Sequence, residues 1–160
     1  MSGSILIMGI GNTLLSDDGI GPYICKLLQN KNLPKNVSVV DGGTQGLNLM
    51  PFFEGIERVI LIDAIEAKGA KAGDLVVIEQ EDIIKTLNQK MSVHEIGIVD
   101  LLLSLDLVGN EPKELKLMGL VPKSLEFAYG LSDEIEKQIP TLLDAIYKQI
   151  EIWNKKEALC

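Results

Sequence analysis

The chain has few of the residues on which several common protein classes depend. Its 160 residues include two cysteines, Cys25 and Cys160, and one histidine, His94. Two cysteines that form no C-x-x-C pair build neither a disulfide framework nor a cysteine-rich zinc site, and this usage fits a reducing cytoplasm. A metal site that contains histidine must use His94 and must take its other ligands from other residue types.

Positive charge and long apolar runs are also scarce. Fifteen basic against 23 acidic residues give a net charge of −8, so there is no general basic footprint for nucleic acid. No apolar run approaches the ~18 residues of a membrane span, and the amino terminus lacks the basic segment and cleavage site of a signal peptide. We therefore expect a soluble cytoplasmic protein with no nucleic-acid or membrane partner.

The residue pattern of the chain is typical of one α/β domain. No linker or internal repeat divides it, so residues 1–160 are predicted to form a single domain. Short runs rich in Ile, Val and Leu alternate with helical patterns, which predicts a mixed, mostly parallel sheet of about five strands with helices on both faces. The predicted strands cover residues 5–8, 37–40, 59–62, 75–78 and 115–121.

Two helices carry recognisable start signals. A helix is predicted over about 93–107, with Ser92 and Glu95 in the S-x-x-E spacing of a capping box. The final helix has Ser132 as its expected N-cap, and Pro140 is expected to kink it or to mark its true start.

The link between the third and fourth predicted strands is short. Residues 64–74 are too few for a helical crossover, which takes about a dozen residues or more. The fourth strand is therefore predicted to run antiparallel to the third.

Acidic residues collect where three of the predicted strands end. Asp18 comes after the first strand, Asp41 after the second and Asp63 after the third. Ligands of open α/β sheets bind at the carboxyl ends of the strands, so Asp18 and Asp63 can converge there, and His94 can join them from the helix that it opens. Two carboxylates and an imidazole suit a borderline divalent metal such as nickel or zinc. Three protein ligands leave positions for water or substrate.

Simpler roles stay open for each of these residues. Asp18 and Ser92 can serve as helix caps, Asp41 can serve a turn, and a lone histidine is often a hydrogen-bonded core residue. The glycine-rich stretch after the first strand can also cradle a phosphate. Against a nucleotide site, Leu14 stands where G-x-G-x-x-G requires its third glycine, and Asp17 and Asp18 repel phosphate.

The usual hydrolase templates are missing. The sequence has no G-x-S-x-G elbow, no H-E-x-x-H helix and no reactive cysteine close to His94. Cys25 stands beside the apolar stripe of a predicted helix and is interpreted as inert packing. What remains is carboxylate and metal chemistry, in which a metal polarises a carbonyl or activates water.

Five motifs, taken together, resemble one known family. In order they read GIGNTLLSDDGIG, DGGTQG, LIDAI, SVHEIG and GLVPKSLE. From Ile5 to the final helix the chain resembles the hydrogenase maturation proteases, which process the large subunit of nickel-iron hydrogenases. Each motif alone is weak, but five in order with fitting spacing make the resemblance specific.

The resemblance implies a metal-dependent endopeptidase that removes the C-terminal extension of a hydrogenase large-subunit precursor after nickel insertion. It implies that Asp18, Asp63 and His94 contact the metal and that Asp41 joins them in the catalytic set. Nickel is expected to arrive with the precursor, and another divalent cation is expected to replace it in crystals. A monomer is expected. Whether the metal, Asp18 or Asp41 activates water stays open, and the alternative is a non-catalytic nickel-sensing or precursor-binding maturation module.

Overall fold

The short apolar runs form strands, and the amphipathic stretches between them form helices. The computed structural model describes residues 3–89 and 93–160, and of residues 93–95 only the backbone. The strands are β1 (Ile5–Ile10), β2 (Val37–Gly43), β3 (Arg58–Ala64), β4 (Leu75–Glu79) and β5 (Glu114–Leu120). The helices are α1 (Ile20–Gln29), α2 (Gln80–Asn88), α3 (Val93–Leu107) and α4 (Asp133–Ala158), with 3-10 helices at Ser16–Gly19 and Gly46–Phe53.

The five strands form one mixed sheet in the order β2-β1-β3-β5-β4. All pairs are parallel except β4 with β5, which is antiparallel. The predicted fold class and all five predicted strands are thus confirmed. The direction of β4 relative to β3 is also as predicted, but β5 lies between them, so these two strands do not pair.

Helices cover both faces of the sheet, and the core is divided accordingly. Because successive side chains of a strand point to opposite faces, Leu6 and Met8 of β1 pack with α2, α3 and the 3-10 helix Gly46–Phe53. Ile5 and Ile7 pack with α1 and α4 on the other face. Every residue of β1 and β3 is buried, so the ends of these two strands are fixed in position. Among the described residues, no helix combines the length and apolar character that crossing a bilayer requires.

The two predicted helix starts have different outcomes. The capping box of Ser92 and Glu95 lies outside the described residues. Ser132 does stand at the N-cap of α4, but its hydroxyl makes no capping bond and donates instead to Asp17. Of the two alternatives expected for Pro140, a kink or the start of the helix, the start is wrong, because α4 begins at Asp133 and continues past the proline.

Burial on either side of the proline explains why α4 continues. Ile139 and Leu142 are both buried in the same part of the core, while Pro140 is exposed. Tertiary packing on both sides therefore outweighs the local preference of proline for ending a helix.

Leu142 provides a direct test of this packing. We expect Leu142→Ala to lower the free energy of unfolding by about 2 to 5 kcal/mol, because the side chain is fully buried and its removal leaves a cavity. Urea denaturation of both proteins measures the difference. A loss well below this range would mean that α4 relaxes into the vacated space.

Candidate functional site

The glycines after β1 allow α1 to pack directly against the sheet. A Cβ at Gly9 would stand 2.2 Å from the carbonyl oxygen of Gly21, and a Cβ at Gly21 would stand 2.3 Å from that of Ile10. Neither position has room for a side chain, so the backbones of strand and helix touch. Chain packing thus accounts for this glycine pair without any phosphate ligand.

Asp18 and Asp63 are brought together around the turn that follows β1. The backbone amide of Asn12 donates to Oδ2 of Asp18 at 2.8 Å. A Cβ at the adjacent Gly11 would stand 3.6 Å from Oδ1 of Asp63 and 1.9 Å from the carbonyl oxygen of Asp18. Gly11 also has φ +135°, a backbone conformation that residues other than glycine rarely adopt. A glycine is therefore required where the chain passes between these two aspartates.

Both aspartates are buried, and each is held by an element of the fold. Asp63 is fully buried near the end of β3, and its Oδ1 accepts a 2.8 Å hydrogen bond from the amide of Ala64. Asp18 is 5% exposed in the 3-10 helix Ser16–Gly19. Two buried carboxylates at one strand edge are costly unless their charge is compensated. The backbone amides of Asn12 and Ala64, which donate to Asp18 and Asp63, contribute to this compensation.

Asp41 occupies a different environment at the end of the neighbouring strand. It is exposed, it pairs in register with Gly9, and its Oδ1 accepts a 3.1 Å hydrogen bond from the amide of Gly43, as in a turn. It lines a groove of about 420 Å³ that also includes Tyr23, Lys26 and Tyr129. A peptide lying in this groove can therefore reach Asp41.

His94 lies in the first turn of α3, as predicted, while its side chain lies outside the described residues. The beginning of α3 is close to the loop after β2, because a Cβ at Gly46 would stand 3.2 Å from the Cα of Gly97. Gly97 is one turn beyond His94 in the helix. The backbone of the DGGTQG motif and that of the SVHEIG motif are thus neighbours.

The structure therefore groups Asp18 with Asp63 and places Asp41 at the adjacent strand end. Among the side chains that the structure describes, no three His, Cys, Asp or Glu residues form a metal-holding cluster. His94 is not among those side chains, so the three-residue set predicted from the sequence stays a prediction.

Asp17 is the residue that the sequence interpretation underrated. It is 1% exposed, and its carboxylate accepts hydrogen bonds from residues more than a hundred positions away in the chain. The donors are the amides of Lys123 (2.9 Å), Ser124 (3.1 Å) and Ser132 (2.7 Å), and the Ser132 hydroxyl (2.8 Å). Asp17 thus fixes the segment between β5 and α4 beside the site. No local pattern in the sequence distinguishes it from Asp18.

Cys25 is inert packing, as interpreted from the sequence. Its side chain is fully buried, Sγ lies 3.3 Å from the carbonyl oxygen of Val40, and burial raises the pKa of the thiol to about 12. The thiolate form is negligible near neutral pH, so Cys25 is no nucleophile.

Alkylation checks this assignment. We expect iodoacetamide at pH 8 to label the native protein once, at the exposed Cys160, and to label the unfolded protein twice. Mass spectrometry counts the labels. A second label on the native protein would contradict the interpretation.

Most of the chain matches one protein family. The family model described as hydrogenase maturation protease matches residues 22–149. The chain is 35% identical to the hydrogenase 2 maturation protease of Escherichia coli over 143 residues, which cover 89% of this chain and 87% of that protein.

Solved structures give the same result. The E. coli hydrogenase maturating endopeptidase HybD superimposes with a TM-score of 0.87 at 34% identity, over 92% of each chain. The [NiFe] hydrogenase maturation protease HybD from Thermococcus kodakarensis gives 0.77 at 30% identity, over 91% of this chain and 98% of that one. With its fold, its ordered motifs and its relatives in agreement, this chain belongs to the hydrogenase maturation protease family.

Proposed function

We propose that this protein is the endopeptidase that removes the C-terminal extension of a nickel-iron hydrogenase large-subunit precursor after nickel insertion. The observation that carries the proposal is the pair of buried aspartates, Asp18 and Asp63, held around Gly11 and Asn12 at the ends of β1 and β3. Relatives of matching length that are named maturation proteases support it.

In this proposal, Asp18, Asp63 and His94 recognise the nickel that the precursor carries. Two carboxylate oxygens and one imidazole nitrogen suit a borderline divalent ion. The net charge of −8 favours the approach of a dication.

Recognition of the metal positions the peptide for hydrolysis. Holding the scissile bond and the attacking water in place is worth about 7 to 11 kcal/mol of barrier lowering in well-oriented reactions. The water oxygen adds to the carbonyl carbon and loses a proton to a carboxylate, and the C–N bond then breaks as the amine nitrogen gains a proton. In this proposal Asp41, which is exposed in the groove, contacts the peptide or accepts that proton. A precursor without nickel would lack the group that aligns it.

Cleavage of matched precursors tests the proposal. The purified protein is incubated with nickel-loaded and nickel-free large-subunit precursor, and the mass of the large subunit is followed. We expect shortening by the C-terminal extension in the loaded sample only. Binding of the loaded precursor without cleavage would favour the non-catalytic maturation module, and equal cleavage of both samples would disprove metal recognition.

The setting of the reaction is part of the proposal. We place it in the cytoplasm and expect the protein to be a monomer that meets the precursor transiently. Sedimentation of the purified protein at rising concentration tests the monomer.

A further inference from the structure

Residues 122–131, which we call the anchored loop, hold large apolar side chains in solvent beside the proposed site. Phe127 is 81% exposed and Tyr129 is 83% exposed, and Leu125 in the same loop is also exposed. Leu14, whose carbonyl oxygen accepts a hydrogen bond from the amide of Ala128 in the loop, is 46% exposed. Clustered exposed apolar side chains mark interaction surfaces more often than single ones do.

The anchored loop is fixed to the body of the protein by a buried carboxylate. Asp17 accepts the amide hydrogens of Lys123 and Ser124 near the start of the loop and that of Ser132 just after its end. The amide of Asp17 donates in return to the carbonyl oxygen of Ser124. The two ends of the loop are therefore held at one point, and its exposed side chains are not at the tip of a loose segment.

The middle of the anchored loop is bound to the turn that supplies Asp18. The amide of Ser16 donates to Ala128, the amide of Ala128 donates to Leu14, and the Ser16 hydroxyl donates to the carbonyl oxygen of Glu126. Ser16 has φ +53°, a conformation that costs energy outside glycine and that these bonds stabilise. One short turn thus carries both a proposed metal ligand and the support of the loop.

We propose that Leu14, Leu125, Phe127 and Tyr129 form the docking surface for an apolar patch of the folded large-subunit precursor. This inference rests on the proposed function. A standard protein interface covers about 800 Å² on each partner, so a protein substrate whose scissile bond lies at Asp18 must extend over the surface around it. That surface includes the anchored loop.

The features of the loop fit a substrate better than a second copy of this chain. Rigid aromatic side chains give large contact area at low ordering cost, which is typical of interface hot spots. A second copy seated here would bring together two chains with a net charge of −8 each. It would also obstruct the groove that Tyr129 shares with Asp41.

Replacing both aromatics by serine tests the docking surface. Both side chains are mostly exposed, so we expect the Phe127→Ser/Tyr129→Ser protein to melt at the wild-type temperature. The Kd for nickel-loaded precursor and the KM for its cleavage are expected to rise by about 30-fold or more, as for loss of an interface hot spot, with kcat within about twofold of wild type. The matched control is Ile152→Ser on α4, where an apolar side chain is 57% exposed away from the loop. This variant should leave Kd, KM and kcat unchanged.

Each outcome of this experiment is decisive. An unchanged Kd and KM in the double variant would overturn the docking surface while leaving the protease proposal intact. The wild-type protein could instead bind the precursor without cleaving it, while the double variant does not bind. That result would support the docking surface and disprove the protease. Wild-type self-association that the double substitution abolishes would overturn the inference, because the surface would then join two copies of this chain. Failure of the wild-type protein to bind the precursor would overturn both proposals.

Discussion

Asp63→Asn is expected to abolish processing of the nickel-loaded precursor while leaving the protein folded. The amide has nearly the same shape as the carboxylate and keeps an oxygen that can accept the hydrogen bond from Ala64. What it loses is the negative charge and the stronger ligand oxygen. Removing a residue that only supports a metal ligand lowers metal affinity or activity by about 10- to 100-fold. For a direct ligand we therefore expect the processing rate to fall by at least about 100-fold. The rate at which the large subunit shortens measures the effect.

A matched control separates the effect of removing any one negative charge from the effect of removing the charge of Asp63. Asp144 is exposed on α4, and Asp144→Asn should process the precursor at the wild-type rate. His94→Ala should lose processing as Asp63→Asn does and should keep its cooperative melting transition. If either site variant processes at the wild-type rate, the residue is no metal ligand. A variant that melts early but keeps its specific activity in the folded fraction would reveal a purely structural role.

Asp17→Ala is expected to have the largest effect on stability among the acidic residues near the site. Its carboxylate accepts three backbone amides and one hydroxyl, and alanine removes the acceptor for all four. An unsatisfied buried donor costs about 1 to 3 kcal/mol, and water can reach some of these groups, so we expect a loss of about 3 kcal/mol or more. For a chain of this size each kcal/mol lowers the melting temperature by about 2 to 4 °C.

Asp17→Asn provides an intermediate case for the same measurement. The amide keeps one acceptor oxygen, so thermal denaturation should place it between wild type and Asp17→Ala. Asp144→Ala, on the exposed side of α4, should melt like wild type. A wild-type melting temperature for Asp17→Ala would show that the anchored loop does not depend on this carboxylate.

The strands of this fold are readable from sequence because most of them are covered on both faces. β1 and β3 are buried along their whole length, so their residues must be apolar nearly without interruption, and such runs stand out. Helix α2 was not predicted, for a related reason. It is nine residues long and buries only Ile83 and Leu87, and two apolar residues four apart make too short a pattern to indicate a helix.

Part of the candidate site follows from the same logic. Residues after the strands of a parallel sheet gather at one edge, so the proximity of Asp18 and Asp63 was predictable without coordinates. The role of Gly11 was not, because its φ and its close approach to Asp18 depend on how α1 returns to the sheet.

The adjacent residues Asp17 and Asp18 show what the sequence determines and what only the tertiary structure decides. By itself the sequence determined an acidic α/β protein with one histidine, acidic strand ends and five ordered motifs. It could do so because the order of apolar and polar residues reflects which positions are buried and whether a segment is a strand or a helix. Only the tertiary structure decided that Asp18 contacts the turn at Asn12 while Asp17 holds residues beyond Lys123. Two identical neighbours in a chain differ only in the direction in which the backbone turns each side chain, and that direction is set by contacts with distant segments.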